Sequence, residues 1–280
     1  LKEDLIMRVF ITGATGFIGS AVVRELLEAG HQVVGLARSD TASAALTAVG
    51  ADVHRGSLDA LDSLRSGAAA ADGVIHLAFN FSDYARAVAA DLLAVETVGA
   101  ALEGSGKPFV VTSGTSVLTS LLPPGRLATE EDAGSVAGPR TAVENAVIAL
   151  AKRGVRSSIV RLPSVHGPGD HGFVPTLIDL SRTKGISAYV GDGYNRWPAV
   201  HLLDAARLFR LAVEAAPAGS RLHGVGDEGV PFRDIAGVIG RHLNLPVVSI
   251  SHEEADSHFD WFGAIASADN PTSSALTQER

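Results

Sequence analysis

The stretch Thr12-Gly13-Ala14-Thr15-Gly16-Phe17-Ile18-Gly19 decides the fold of this 280-residue chain. It follows the apolar run Met7–Ile11, which predicts a buried strand, and it opens the stretch Phe17–Ala29, in which apolar residues recur at helical spacing. A glycine-rich turn between a strand and a helix is the context that a phosphate-binding turn requires. A tight strand–helix turn without any ligand is the alternative interpretation.

Each glycine of this turn has a separate physical role. Gly13 can adopt the tight backbone turn, Gly16 lacks the Cβ atom that would keep the chain away from a pyrophosphate, and Gly19 lets the helix pack closely on the strand. The helix N-terminus supplies backbone N–H groups and the positive end of its dipole. The residues that we predict to form the ligand-binding turn are Gly13, Thr15, Gly16, Phe17, Ile18 and Gly19.

A strand followed by a turn and a helical stretch recurs along the chain, which is the pattern of βαβ units. The later strands are almost continuously apolar, as expected of a parallel sheet that is covered on both faces. They are Gln32–Ala37, Ala51–His54, Gly73–Leu77, Pro108–Thr112 and Val155–Leu162. The two longest helical stretches are Asp83–Glu103 and Pro139–Arg153. The pattern predicts an α/β fold of the Rossmann type, with a doubly wound parallel sheet.

The part of the chain after residue 166 has shorter and more scattered strands. Its predicted helices are Val174–Thr183, Leu202–Ala215, Phe232–Leu243 and His252–Ala266. We therefore predict two domains, a dinucleotide-binding core at 7–166 and a mainly substrate-binding lobe at 167–280 that returns segments to the core. Met7 is the single methionine, so residues 1–6 are predicted to be an expression remnant.

Composition and charge exclude several classes of function. The net charge is −8, and Lys and Arg are not clustered. The chain therefore has no cationic patch that could displace counterions from the phosphates of a nucleic acid, and nucleic acid is not expected as a partner. The absence of cysteine excludes a disulfide framework, thiolate catalysis and Cys-ligated metals. No apolar run reaches the roughly 18 residues of a membrane helix. We expect a cytoplasmic protein that binds neither membranes nor nucleic acid.

Several segments together resemble the extended and atypical branch of the short-chain dehydrogenase/reductase superfamily, the NAD-dependent epimerase/dehydratase-like proteins. Besides TGATGFIG at 12–19, they are GVIHLA at 73–78, VVTSG at 110–114, RLPSVHGPG at 161–169 and NRWPAVHLLDAARL at 195–208. The resemblance covers almost all of residues 7–246. It implies a parallel Rossmann sheet, a C-terminal substrate lobe and a nicotinamide dinucleotide bound across the strand ends.

The end of the second strand predicts NADP(H) as the preferred cofactor. Ala37 holds the place at which an NAD site puts an acid on the ribose 2′-hydroxyl, whereas Arg38 and Ser39 can pair with a 2′-phosphate. The alternatives are that Asp40 reaches the ribose and the site takes NAD(H), or that Arg38 is a solvated surface charge. By resemblance, Ser57 replaces an aspartate that contacts the adenine. Four further residues complete the predicted cofactor contacts: Leu58, Ala78, Arg140 and Pro163.

The resemblance also implies a catalytic tyrosine, a lysine four residues later and a serine or threonine, and the chain departs from that pattern. No tyrosine lies between Tyr84 and Tyr189, and Val136 and Arg140 hold the tyrosine and lysine positions. A guanidinium is always charged and cannot relay a proton, although Arg140 can bond the cofactor ribose.

Other groups must then hold the substrate oxygen and donate the proton. Gly114 occupies the usual serine place among four hydroxyl residues at 112–116, so Thr115 or Ser113 is predicted to hold the oxygen. Tyr84 and His166 follow strands whose ends are expected near the nicotinamide ring, and both are candidate proton donors. An imidazole can pass a proton without a lysine partner. The alternative is a structural role for both side chains.

The ten histidines do not indicate a metal site, because His166 and His171 lie on a Pro/Gly loop without the helical spacing of two ligands. Four aromatic residues either line an apolar substrate pocket or belong to the core; they are Phe173, Trp197, Trp261 and Phe262. The helices at 83–103 and 139–153 either form a homodimer interface, as in similar proteins, or only cover the sheet.

The sequence therefore predicts an NADP(H)-dependent oxidoreductase that reduces a carbonyl, or oxidises an alcohol, of a small to medium apolar metabolite. Two alternatives stay open. One is an epimerase or dehydratase that retains its cofactor and uses transient hydride transfer. The other is a non-catalytic dinucleotide sensor, which the missing tyrosine–lysine pair favours.

Overall fold

The computed structural model describes residues 6–80, 83–119, 122–123, 125–133 and 138–280. Residues 1–5, most of the predicted expression remnant, lie outside that part of the chain. Val136, which holds the tyrosine position by resemblance, also lies outside it.

Strands and helices alternate through the first half of the chain, as the βαβ pattern predicts. The strands are β1 (Arg8–Thr12), β2 (Gln32–Ala37), β3 (Asp52–Arg55), β4 (Gly73–His76), β5 (Pro108–Gly114), β6 (Arg156–Leu162), β7 (Ser164–His166), β8 (Ser187–Val190), β9 (Arg196–His201), β10 (Ser220–His223), β11 (Asp227–Pro231) and β12 (Val247–Ile250). The helices are α1 (Phe17–Glu28), α2 (Asp40–Ala48), α3 (Leu61–Ala69), α4 (Tyr84–Leu102), α5 (Pro139–Ala149), α6 (Phe173–Lys184), α7 (Leu202–Ala215), α8 (Phe232–Leu243), α9 (His252–Phe259), α10 (Gly263–Ser267) and α11 (Ala275–Gln278). None of these helices is long and apolar enough to cross a lipid bilayer.

Seven parallel strands form the central sheet, in the order β10-β6-β5-β4-β1-β2-β3. The strand order reverses between β1 and β4, which creates the switch point at which sheets of this kind bind ligands. The predicted doubly wound, Rossmann-type α/β fold is confirmed.

Helices cover both faces of this sheet because its strands carry apolar side chains on both sides. On one face, α1 and α7 pack on the strands around Val22, Leu26 and Phe209. On the other face, α3, α4 and α5 pack around Phe10 and Val95. Each large apolar side chain that is fully buried in this way contributes roughly 1.5–3 kcal/mol to folding. The sheet is therefore a rigid platform for the loops at its strand ends.

Two smaller sheets build the lobe beside the central sheet. One consists of β11, β9 and β7, and the other pairs β12 with β8. Together with α6, α8, α9 and α10 they enclose a core around Trp197, Phe232 and Phe262. From the same C-terminal half, β10 and α7 return to the central sheet.

Most bounds of the predicted helices and strands lie within two residues of the observed ones, but two predictions differ more. The stretch Pro139–Arg153 ends as a 3-10 turn after α5, and the single helix predicted at His252–Ala266 is wrong. It is interrupted at Asp260, whose φ of 56° is left-handed. The break buries Phe262 and leaves Trp261 68% exposed, so Trp261 does not belong to the core.

After α10 the chain runs back across the core. The backbone N–H of Ser273 donates to the carbonyl of Ala128 (2.8 Å), and that of Thr272 donates to the carbonyl of Glu228 (2.8 Å). These bonds fix the segment 269–273 against both the loop that follows β5 and the lobe.

Candidate functional site

The glycine turn lies at the end of β1, at the switch point of the sheet. Gly13 has a φ of 72°, and a Cβ atom on it would lie 2.7 Å from the backbone nitrogen of Ala78. A Cβ atom on Gly19 would lie 2.0 Å from the carbonyl oxygen of Gly13. Both glycines are therefore required by the close approach of backbone to backbone, as the sequence indicated.

The N-terminus of α1 is open to a ligand. Gly16 is the N-cap residue, no side chain caps the helix, and its first turn contains no acidic residue. Thr15 and Gly16 are exposed, whereas Phe17 and Ile18 are half-buried. The first N–H groups of an uncapped helix are donors for an anion. On this observation the turn fits the pyrophosphate of a dinucleotide.

Arg38 and Ser39 lie exposed at the end of β2, the strand next to β1. Arg38 makes no hydrogen bond or ion pair with any residue that the structure describes. Ser39 Oγ accepts the N–H of Ala42 (3.2 Å) at the start of α2, so its own O–H remains available as a donor. Asp40 pairs with Arg55 (2.9 Å), so the carboxylate that would favour NAD(H) already has a cationic partner.

The remaining predicted cofactor contacts also follow strands of the central sheet and are half-buried; they are Ser57, Leu58, Ala78 and Pro163. The N–H of Ala78 donates to Thr12 Oγ1 (3.3 Å), and the same hydroxyl is hydrogen-bonded to His76 Nδ1 (2.6 Å). These bonds link the ends of β1 and β4 on either side of the switch point.

Arg140 belongs to a buried polar network beneath these strand ends. Asp91 on α4 is 3% exposed and accepts hydrogen bonds from Arg140 Nη1 and from His76 Nε2 (2.8 Å for the histidine). Arg140 Nη2 donates to the carbonyl of Thr112 (2.9 Å), and the guanidinium lies 4.8 Å from the ring centre of Phe79. These contacts fix the side chain of Arg140, which holds the lysine position by resemblance. Sequence reasoning missed Asp91, which carries no motif of its own.

The two hydroxyls that were predicted to hold the substrate oxygen are buried. Thr115 is 1% exposed, and its Oγ1 accepts a hydrogen bond from Asn270 Nδ2 (2.9 Å). Ser113 is 4% exposed and lies beside Glu144, whose pKa it helps to lower. Its Oγ makes no hydrogen bond of regular geometry with the described residues. The assignment of Thr115 or Ser113 to the substrate oxygen stays a prediction.

Ser116 is the exposed hydroxyl at this strand end. It lies in the 3-10 helix Thr115–Leu118 directly after β5. Its Oγ lies 3.3 Å from the position that a Cβ atom on Gly114 would occupy, and it makes no hydrogen bond with the described residues. The side chain of Ser116, two residues after Gly114, thus reaches the space beside this glycine, which has no side chain of its own. The glycine at the usual serine place was the signal in the sequence.

His166 forms a pair with Asp170, with 3.0 Å between Nδ1 and Oδ2, and both line a cleft with a volume of about 380 Å³. In the same loop, the ring of His171 meets the ring of Phe17 edge-on at 5.8 Å, which brings this loop to the glycine turn. Tyr84 is 51% exposed at the start of α4. No group of three His, Asp or Glu side chains within the described ranges is arranged to hold a metal ion.

A second buried ion pair supports the strand ends from within the core. Arg161 is fully buried and donates to both carboxylate oxygens of Glu144 (3.0 and 2.6 Å) and to the carbonyl of Asp132 (2.8 Å). Burial alone would raise the pKa of Glu144, but the guanidinium outweighs it and the pKa lies below its usual value. Burial lowers the pKa of His223, whose Nε2 accepts from Arg161 (3.3 Å) and whose Nδ1–H donates to the Ser273 carbonyl (2.8 Å).

Comparisons with known proteins identify relatives of this chain and solved structures with the same fold. The chain is 51% identical over 278 residues to the uncharacterised protein C2A9.02 of Schizosaccharomyces pombe, covering 98% of this chain and 93% of the relative. It is 29% identical over 258 residues to the 2-alkyl-3-oxoalkanoate reductase of Stenotrophomonas maltophilia, covering 86% of this chain and 77% of the reductase. The crystal structure of gox2253 has a TM-score of 0.77 at 21% identity, covering 97% of this chain and 91% of that one, and shows the same fold.

A sequence model of one family also matches most of the chain, from residue 9 to residue 223. The matched range holds the glycine turn, the ends of β2, β4, β5 and β6, and the network around Arg140. The chain belongs to the NAD dependent epimerase/dehydratase family.

Proposed function

We propose that this protein is an NADP(H)-dependent oxidoreductase that reduces the carbonyl group of a small to medium apolar metabolite. The observation that carries the proposal is the uncapped N-terminus of α1 together with Arg38, which directly follows β2, is exposed and has no ion-pair partner among the described residues. One site thus offers donors for a pyrophosphate and a cation for a 2′-phosphate.

The reductase named above supports the direction of the chemistry. Its name describes reduction of an oxo group on an alkyl-substituted acid, and the chain is similar to it along 86% of its length. The cleft beside His166 is lined mostly by apolar side chains, which agrees with an apolar substrate.

The bound dinucleotide would supply the hydride. For the oxygen of the substrate, we assign Ser116 as the hydrogen-bond donor, because its hydroxyl is exposed at the end of β5 and has no other partner among the described residues. His166 supplies the proton: Asp170 holds Nδ1, and Nε2 remains to pass the proton. Arg140, fixed by Asp91, bonds the cofactor ribose and moves no proton.

Replacing Arg38 with alanine should weaken the binding of NADPH about tenfold to a hundredfold, the range expected for a lost charge-assisted hydrogen bond. The affinity for NADH should not change, because NADH has no 2′-phosphate. Calorimetric titration with both nucleotides measures this difference. Arg207→Ala, which removes an exposed arginine on α7, is the control. Equal losses for both nucleotides would refute the role of Arg38 in cofactor choice.

The reaction itself is tested by following the absorbance of NADPH with a panel of ketones and 3-oxo acids. The proposal predicts oxidation of NADPH that depends on the added carbonyl compound and a stoichiometric alcohol product. Tight binding of NADPH without turnover of any panel member would favour the sensor instead. Retention of the nucleotide through purification, with no net consumption, would favour an epimerase or dehydratase.

A further inference from the structure

An apolar groove runs between α6 and α8 in the lobe. It consists of two clefts with volumes of about 380 and 580 Å³. The two clefts share four lining residues and are therefore continuous; these are Val174, Ile178, Val230 and Ile235. We call this continuous feature the α6–α8 groove.

The inner end of the groove is polar and lies on the side of the candidate reaction site. His166 and Asp170 line it, next to the buried ring of Trp197. The loop that carries both residues contacts the glycine turn through His171 and Phe17. A ligand that enters the groove thus has one end beside the proposed proton donor.

The walls between the two ends are apolar. Val174 and Ile178 lie four residues apart on α6, and Ile235, Val238 and Ile239 follow the same helical spacing on α8. Val238 is 45% exposed although it is a large apolar residue. No described residue covers these apolar side chains across the width of the groove. A bound apolar chain would therefore shield them from water.

The outer end is polar again, which limits the length of the apolar part. Arg182 and His242, near the C-terminal ends of α6 and α8, line it. On α6, the eight steps along the helix from Val174 to Arg182 span about 12 Å at 1.5 Å per residue. The apolar part of the groove is therefore elongated along α6, and an extended alkyl chain can follow its length.

Charge argues against a nucleotide diphosphate as the occupant. None of the described residues that line the inner cleft is Lys or Arg, and Asp170 contributes a negative charge there. Arg196, on the neighbouring strand β9, is already paired with Asp269 (2.9 Å). A diphosphate in this cleft would lack a partner for its charge.

We propose that the α6–α8 groove binds the unbranched alkyl chain of the ketone substrate, with the carbonyl carbon at the end beside His166. This inference rests on the proposed function for the identity of the reacting group. The substrate class is thus a linear alkyl ketone whose chain extends toward Arg182 and His242.

The wild-type protein with saturating NADP⁺ tests this by calorimetric titration with methyl ketones from butanone to undecanone. Affinity should rise about fourfold for each added methylene, the factor that corresponds to about 0.8 kcal/mol per buried CH₂. The increase should stop when the chain reaches the polar outer end. The same series in the NADPH assay should show an equal increase in kcat/KM.

A blocking variant tests the location. Ile178→Trp fills the point that both clefts share, and it should abolish the dependence on chain length while NADPH binds as in the wild type. Ile235→Asn, which puts an amide into the same wall, should act in the same direction. Leu211→Trp on α7, an exposed apolar position outside the groove, is the control and should behave as the wild type.

The outcomes separate this inference from the proposed function. Binding that depends on chain length without turnover would keep the groove assignment and reject the reductase. Turnover that is independent of chain length, or an unchanged dependence in both groove variants, would overturn the groove assignment and keep the reductase.

Discussion

Replacing Ser116 with alanine should lower kcat for ketone reduction about a hundredfold to a thousandfold, the usual cost of removing one donor to a developing oxyanion. The exposed hydroxyl beside Gly114 is the single donor at the end of β5 that is neither buried nor bonded within the described ranges. The affinity for NADPH should not change, since the substitution removes no group near the glycine turn. Steady-state kinetics with the best ketone of the panel, together with NADPH titration, measures both quantities.

Three matched variants make this expectation specific. Ser116→Thr keeps a hydroxyl and should recover most of the lost activity. Ser113→Ala and Thr115→Val remove buried hydroxyls and should reduce kcat much less, although Thr115→Val also breaks the bond to Asn270. An active Ser116→Ala enzyme beside an inactive Thr115→Val enzyme with normal NADPH binding would show that Thr115 holds the oxygen instead.

Replacing Arg161 with methionine should lower the free energy of unfolding by about 3–5 kcal/mol, the effect of leaving one charge of a buried pair without its partner. Glu144 would remain buried at 3% exposure, and the carbonyl of Asp132 would lose its donor. Urea denaturation followed by circular dichroism measures the change. The double variant Arg161→Met/Glu144→Leu should recover a large part of the loss, because both charges are then gone.

The same pair predicts the direction of a pH effect. Because the pKa of Glu144 is lowered in the folded state, the pair stabilises the protein above the ordinary glutamate value of 4.5 and loses this contribution as the pH falls through the folded pKa. The stability difference between wild type and Arg161→Met should therefore shrink in acid. Arg153→Met, which breaks the exposed pair with Glu103, should change stability little at any pH. A gap that widened in acid would contradict the assignment.

The glycine turn and the central sheet could be predicted from the sequence because their signals are local. The end of a strand, three glycines and the start of a helix follow one another directly at Thr12–Gly19. Almost continuously apolar strands of this length are typical of a parallel sheet that is covered on both faces.

The residues around the reacting group could not be predicted in the same way, because their partners are far apart in the sequence. Asn270 reaches Thr115 across 155 positions, and Asp91 reaches Arg140 across 49. The placement of Ser116 depends on a 3-10 turn after β5, which the sequence pattern does not specify. The interruption of the predicted last helix depends on a single left-handed residue, Asp260.

The lobe shows why the substrate is harder to predict than the cofactor. The predicted cofactor contacts lie at the strand ends, whose positions are fixed by the fold. The α6–α8 groove arises where two helices that are distant in the sequence face each other, and its character depends on side chains such as Ile178 and Val238 that look like ordinary core positions in the sequence.

Calorimetric titration of the wild-type protein with NADPH and with NADH tests the central claim, that the turn at Gly13–Gly19 holds a dinucleotide and that Arg38 reads its 2′-phosphate. We expect one NADPH to bind per chain, at least about tenfold tighter than NADH, in line with one charge-assisted hydrogen bond to the phosphate. Tighter binding of NADH would contradict the role of Arg38, and the absence of binding by either nucleotide would contradict the whole account.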